Sequence, residues 1–569
     1  MSALIQSMDN KKLGENGHYE HKWAHSDLKE KIVQFQFQLT RTEDSLKIKS
    51  LETVLIQLLQ ALPRQKNPEN LVLLQTLYKL IGQTRDIVQG KGECQLSYMM
   101  IYAWHLFYPQ LAKFALKTFV TFENNEHPYG SWKDLKYFCE YCKKQPNFKP
   151  ESNDLFLYAI ELLNTQLRVD AVNQQNMETH SKISLVAKWI PREKSKFGWM
   201  YEHLATDYFR RYLMSARTNE SKRKAILKCK LEYRQLLTTL NRVIDTLQIK
   251  QCAGKWSYIN FDKITSVSLH KQKRALMNIT KTQKVRYPDD EDRILCAELF
   301  ESFVNEKVFT GLKGKRVSLV DFVKEAIDWT DKTQMEIDIL NAQWEDNASQ
   351  NGQLDKLIAM VDTSSSMNGD PLLAAIGLGI RVAEKSSLGK RVLTFNTRPE
   401  WVNLDNCATF YDKVKKLKES TWGGSTNFYL ALQLILDGIV QSKLSPEETK
   451  DMTLVIFSDM QINQSSNENM SSMFETIKQK YEETGMKLFN EPFVPPHILF
   501  WNLRSTDGFP SVSTQENVSM LSGFSPMLLN QFCEGNYHFE EMLSPWNTLI
   551  EQLRHPRYDV LELQVKSMF

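Results

Sequence analysis

The sequence predicts a largely α-helical array followed by a doubly wound α/β domain. Three observations lead there. From residue 46 to residue 350 apolar side chains recur at helical spacing. Beyond residue 350, short β-branched runs alternate with helical patterns, as in a parallel sheet covered on both faces. The ends of two of those runs carry carboxylates and hydroxyls, where open α/β sheets place their sites.

In chain order, residues 1–45 form a polar, mixed segment, residues 46–350 the helical array and residues 353–569 the α/β domain. "SLETVLIQLLQAL" (50–62) opens the helical pattern, and "NLVLLQTLYKLIGQTRDIV" and "LSYMMIYAWHLFYPQLAKFALKTFVTF" carry it to residue 122. "SWKDLKYFCEYCKK", "NDLFLYAIELLNTQL" and "MYEHLATDYFRRYLMSAR" extend it, with breaks where Pro, Gly and Asn cluster, as in "NNEHPYGS" and "KQPNFKPESN". There is no clean repeat. Helices of similar length with short breaks suggest a solenoid-like or irregular array. In the last third, "KLIAMV", "KRVLTF", "MTLVIFSD" and "HILFWNL" read as strands, and "PLLAAIGLGIRVAEKS" and "TNFYLALQLILDGIV" as intervening helices.

Composition bounds the rest. At 569 residues, 42% hydrophobic and 24% charged, the chain can bury large cores. It has no apolar run of membrane-spanning length, so no membrane partner is expected. The opening residues lack the apolar core of a secretory signal. Eight cysteines are too sparse for a disulfide framework. An intracellular location, the cytoplasm, is expected.

In "LIAMVDTSSSM" (357–367) an apolar strand ends in Asp362, with Ser364 and Ser366 on alternate positions. "WGGSTNFYLAL" sets Thr426 at the start of a helix after two glycines, and "LVIFSDMQ" sets Asp459 at the end of another strand. Asp362, Ser364, Ser366, Thr426 and Asp459 make a hard-oxygen set that suits Mg²⁺, or equally Mn²⁺ or Ca²⁺. With few charged ligands the ion stays electrophilic and keeps positions for water or an acidic partner group. The alternative is a turn with helix-capping hydroxyls at "DTSSS". An aspartyl-nucleophile phosphatase wants a second carboxylate where Ser364 stands, and a serine hydrolase wants a G-x-S-x-G elbow, which is absent.

This ordered set resembles the metal-ion-dependent adhesion site of von Willebrand factor A domains. The resemblance implies that Asp362, Ser364, Ser366 and Thr426 contact the metal and that Asp459 acts through water. A wider resemblance rests on "GENGHYEHKW", "YGSWKDLKYF", "AKWIPREKSKFG", "CAGKWSYINFDKITS" and "FWNLRSTDGFPSV". These are similar to a family of uncharacterised proteins of plants, fungi and large DNA viruses, a domain of unknown function that pairs a helical region with an A-like domain. In architecture alone the chain resembles the Ro ribonucleoprotein module, a TROVE ring of helical repeats plus an A domain that binds small RNAs.

Charge patterning adds an independent signal. Residues 181–286 hold 24 Lys and Arg against 7 Asp and Glu, while the whole chain nets only +3. The candidates for nucleic-acid contact are Lys222, Arg223, Lys224, Lys228, Lys271, Lys273 and Arg274. Aromatics interleave at Trp189, Phe197, Trp199, Tyr201, Trp256 and Tyr258. A solvated helical face, or docking onto acidic stretches such as "PDDEDR", explains the same charges. The "CEYC" pair (Cys139, Cys142) is a lone C-x-x-C, and "TGLKGKRVS" has the wrong Gly spacing for a phosphate loop. His105, His203 and His497 are isolated and read as structural.

The function expected is that of a non-enzymatic binding or assembly protein. Its metal takes an acidic group of a partner protein, and its helices hold a second partner, RNA. The alternative is a Mg²⁺-dependent phosphoryl-transfer or hydrolytic enzyme. That needs a general base, for which only Asp370 and Asp405 lie near the motif.

Overall fold

The protein is described by a computed structural model over residues 11–13, 19–62, 68–122, 126–176, 182–395, 398–420, 428–460, 470–506, 508–533 and 544–568. A short ribbon pairs β1 (Lys11–Leu13) with β2 (Tyr19–His21). Helices then dominate: α1 (Leu28–Gln38), α2 (Ser45–Ala61), α3 (Pro68–Arg85), α4 (Cys94–His105), α5 (Pro109–Thr118), α6 (Lys133–Lys143) and α7 (Asp154–Gln175). They continue as α8 (Val186–Trp189), α9 (Tyr201–Tyr208), α10 (Arg210–Met214), α11 (Asn219–Ile244), α12 (Leu247–Cys252), α13 (Ser266–Leu276), α14 (Glu291–Lys307), α15 (Leu319–Ile327) and α16 (Gln334–Ala348). The α/β part follows as β3 (Leu357–Asp362), α17 (Asp370–Lys385), β4 (Arg391–Phe395), β5 (Trp401–Asn403), α18 (Phe410–Lys418), α19 (Phe428–Gln441), α20 (Pro446–Thr449) and β6 (Thr453–Ser458). Then come α21 (Met470–Phe489), β7 (His497–Asn502), β8 (Val518–Ser522), α22 (Pro545–Leu553) and α23 (Asp559–Lys566).

Six strands form one sheet in the order β5-β4-β3-β6-β7-β8. All neighbours are parallel except the edge strand β5, which runs antiparallel to β4. Alternate side chains of each strand face opposite sides. Leu357, Ala359 and Val361 enter one core with Val455, Phe457, Leu499 and Trp501. Ile358 and Met360 enter the other with Leu454, Ile456, Ile498 and Phe500. Both faces are buried, so the strands read as unbroken apolar runs. Helix α17 lies close on β3: a Cβ at Gly379 would stand 2.5 Å from Val361 Cγ2, so only glycine fits there.

The helical array and the sheet share their cores. One core runs from Ile32 on α1 through Leu240 on α11 and on to the sheet and Val565 on α23. The other joins Val317, Phe322, Leu340 and Trp344 of the segment 317–344 to the opposite sheet face. Arg381 of α17 is fully buried against that segment, with Nη1 on Asn351 Oδ1 at 2.6 Å and its guanidinium 4.3 Å from the Trp344 ring.

The segment read as polar holds α1, and most of that helix is buried. Its sequence "VQFQFQ" hides glutamines that find partners. Gln38 donates to Gly508 O at 3.3 Å and accepts from Thr506 N at 2.8 Å, and Gln36 reaches Gln552 at 3.4 Å. Buried amides with partners carry no hydrophobic signature, yet they sit as deep as the phenylalanines between them. Nearby, Lys91 is enclosed and donates to Gln36 O, Leu39 O and Ser522 Oγ at 2.9, 3.1 and 2.6 Å. Burial pushes its ammonium down to about 7. At the far seam Arg557 clasps Asp86 with bonds of 2.9 and 3.0 Å, and Lys79 meets Glu562 at 2.8 Å. Among the described residues no helix is long and apolar enough to cross a membrane.

Candidate functional site

The parallel strands β3, β6 and β7 end side by side, and three motif stretches end with them. The register sets Val361 beside Phe457 and Phe457 beside Trp501. Asp362 therefore closes β3 next to Ser458 of β6, with Asp459 one residue further. Both carboxylates are fully buried. Asp362 Oδ2 accepts from Ser458 Oγ at 2.5 Å, and Oδ1 accepts from Ser364 N at 2.9 Å. Burial pushes Asp362 up to about 6, against the pull of the Ser458 hydroxyl, and the neighbouring charge of Asp459 adds to the rise. The hydroxyls of Ser364 and Ser366 lie 3.0 Å apart. Among the described residues, Thr363 Oγ1 in the same turn is buried without a hydrogen-bond partner.

Four of the five expected ligands thus meet at one sheet edge. Thr426 lies outside the described residues. Met460, directly after Asp459, has a φ of +65°, a costly conformation for a non-glycine residue. Its N–H donates to Ser458 Oγ at 3.0 Å, so one hydroxyl ties the strained turn to Asp362.

Arg504 belongs to this site and sequence reasoning missed it. It stands two residues past β7, and its Nη1 donates to Ser366 O at 3.0 Å and reaches Asp459 Oδ2 at 3.5 Å. Asn502 at the end of β7 holds it: Oδ1 accepts from Arg504 N at 3.0 Å while Nδ2 donates to Phe37 O of α1 at 2.9 Å. No local motif marks it, because its partners Ser366 and Asp459 lie 138 and 45 residues away at the ends of other strands. Two buried carboxylates and two adjacent hydroxyls are oxygen donors that fit a hard divalent cation.

The basic candidates separate. Helix α11 buries Ala225, Cys229, Tyr233 and Leu240, which leaves Lys222, Arg223, Lys224 and Lys228 on its outer side. Lys224 pairs with Glu220 at 2.7 Å, and Lys228 lies 4.1 Å from the Tyr212 ring centre. On α13, Lys271 is exposed. Lys273 is buried on Glu325 of α15, and Arg274 is held by Glu336 of α16. These two fasten the array together. Of the aromatics, Trp199 stacks on Phe156 and donates to Glu140 at 2.9 Å, and Tyr201 is buried with its hydroxyl on Lys230 O. Trp256 carries Arg293 on its ring at 3.6 Å, Phe197 and Trp189 are half-buried, and Tyr258 is exposed.

The lesser candidates are structural. Cys139 and Cys142 are buried on α6, and burial lifts both thiols, Cys142 to about 12. His497 is buried against Ser519 at 2.8 Å and pushed down to about 4 by burial. His105 meets Asp154 at 2.9 Å, and His203 packs edge-on to Phe156.

Comparison with known proteins gives three findings. Residues 356–556 match a domain of unknown function (DUF7788). Residues 137–350 match a second domain of unknown function (DUF2828). "Uncharacterized protein L728" of Acanthamoeba polyphaga mimivirus is 30% identical over 478 residues, 81% of this chain and 76% of its own length.

Proposed function

This chain belongs to the same family as the mimivirus protein L728. From the chemistry of the sheet edge we propose that it is a non-enzymatic binding or assembly protein of the cytoplasm. Its α/β part acts as a von Willebrand A-like domain. Asp362, Asp459, Ser364 and Ser366, with Thr426, hold Mg²⁺ or a like divalent ion, and the ion takes an acidic group from a protein partner. Arg504 adds a second positive charge at the rim and orients the incoming carboxylate. The helical region holds RNA on its basic faces. One observation carries the metal reading. Two fully buried carboxylates lie at neighbouring strand ends, close enough that the charge of Asp459 raises the pKa of Asp362. A divalent cation among them removes that repulsion.

The enzymatic alternative wants a general base beside the ion. Asp370 stands exposed at the start of α17, and Asp405 lies on an exposed turn 3.5 Å from Arg391. Among the described residues neither hydrogen-bonds to Asp362, Ser364, Ser366 or Asp459.

Thermal unfolding with and without Mn²⁺ tests the reading. Saturating ion stabilises the native state by mass action, about 2.7 kcal/mol at a hundredfold excess over Kd. The wild type then melts higher and Asp362→Ala shows no response. A mutant that still responds as the wild type does overturns the assignment.

A further inference from the structure

A cavity of about 750 Å³ opens in the helical array, far in sequence from the sheet edge. It is bounded by α6, α8, the turn after α8 and the flank of α11 running into α12. Its floor is apolar, from Ala187, Ile190 and Leu237. Its walls carry Lys136, Lys188, Arg192, Lys194, Arg234 and Arg242.

These cations have little to balance them. The one carboxylate in the lining, Glu193, is already engaged by Arg234 at 2.8 Å and by Lys230 at 3.4 Å. Among the described residues the other five form no ion pair. Lys133, Lys136 and Lys188 crowd around Trp189 instead, at 5.9, 5.0 and 5.6 Å from its ring. Burial lowers the pKa of Lys136, and the charge of Lys133 lowers it further; burial does the same to Lys188. A protein gains nothing in stability by gathering like charges in a concavity, whereas a low-dielectric wall of one sign concentrates the field on an incoming anion. The outer face of α11 differs, because Glu220 and Glu232 accompany Lys224 and Lys228.

Phosphate is the anion that suits this groove. The lysines and arginines that Glu193 leaves unpaired can donate to phosphodiester oxygens, and Trp189 offers a π surface to a base. The volume lies in the range of about 300–1,000 Å³ that encloses a compact ligand, so a short stretch of chain fits and a duplex does not. We propose that this groove grips the backbone of single-stranded RNA, with Arg192, Lys194 and Arg242 on phosphates and Trp189 against a base. The proposal rests on the RNA reading above and gives it a location other than the Lys222–Lys224 cluster.

The test uses the full chain and a short labelled RNA of mixed sequence, followed by fluorescence anisotropy. Arg192→Glu with Arg242→Glu changes two exposed side chains and leaves the cores untouched. At ~50 mM salt this double variant weakens binding by more than ~10-fold and flattens the log–log salt dependence by about 0.7 for each phosphate that is no longer neutralised. Trp189→Ala weakens binding by about 1–3 kcal/mol, roughly 5- to 150-fold, if a base stacks there. Lys222→Glu, Arg223→Glu and Lys224→Glu together have the smaller effect. Groove variants that bind like the wild type, with the weakening confined to the Lys222–Lys224 triple, overturn the groove and leave the RNA reading standing. A wild type that does not bind RNA at that salt overturns both.

Discussion

Inside the helical array, Arg85 donates to both oxygens of Asp134 at 2.7 Å, and Tyr98 adds a third bond at 2.7 Å. At the sheet edge, Asp362 and Asp459 are just as deeply buried, yet there two like charges act on each other, with the Arg504 guanidinium 3.5 Å from one of them. Elsewhere in the molecule buried charges close in matched pairs: Arg85 with Asp134, Arg557 with Asp86, Lys273 with Glu325, Arg274 with Glu336. The sheet edge and the Trp189 groove gather like charges instead, negative in one and positive in the other. A buried pair with full bonding is scaffolding. A cluster of like charges opposes folding and persists where something else completes it.

Substitutions can break or sharpen this contrast. The largest effect is expected at the matched pair. Arg85→Ala strands the Asp134 carboxylate and costs about 3–5 kcal/mol, read as a large fall in the thermal midpoint; a near-neutral result would dissolve the distinction. At the like-charged site the sign reverses. In EDTA, Asp362→Asn removes a charge that burial and Asp459 both oppose, and it raises stability by about 1–2 kcal/mol. A loss as large as that of Arg85→Ala would mean that Arg504 already balances the edge. The smallest effect belongs to exposed pairs. Lys224 and Glu220 are 75% and 77% exposed, and Lys224→Ala should stay within ~0.5 kcal/mol of the wild type in the same melting assay.

What the sequence made legible follows the same physics. Strands buried on both faces announce themselves, and "KLIAMV" and "MTLVIFSD" could be placed with Asp362 and Asp459 at their ends. Helix α1 could not, because Gln34, Gln36 and Gln38 look solvated until their partners near residues 22, 552 and 508 are known. Lys273 and Arg274 looked like surface charge because Glu325 and Glu336 lie 52 and 62 residues away. Arg504 escaped notice because its role depends on three strands ending together, which no local motif records. The basic segment was legible as a sum. Which of its charges are spent on partners and which line a groove depended on the fold.

The bridges from Asn502 to Phe37 and from Ser522 to Gln36 span 465 and 486 residues. For a nascent chain this imposes an order of events. Helix α1 precedes by hundreds of residues the surface that partners its Gln36 and Gln38 side chains. At about 5–20 residues per second, that delay is on the order of half a minute to a minute and a half. During it the side chains of Gln36 and Gln38 lack the partners that they have in the fold. Helix α1 is thus seated on the sheet only after strands β7 and β8 have been made.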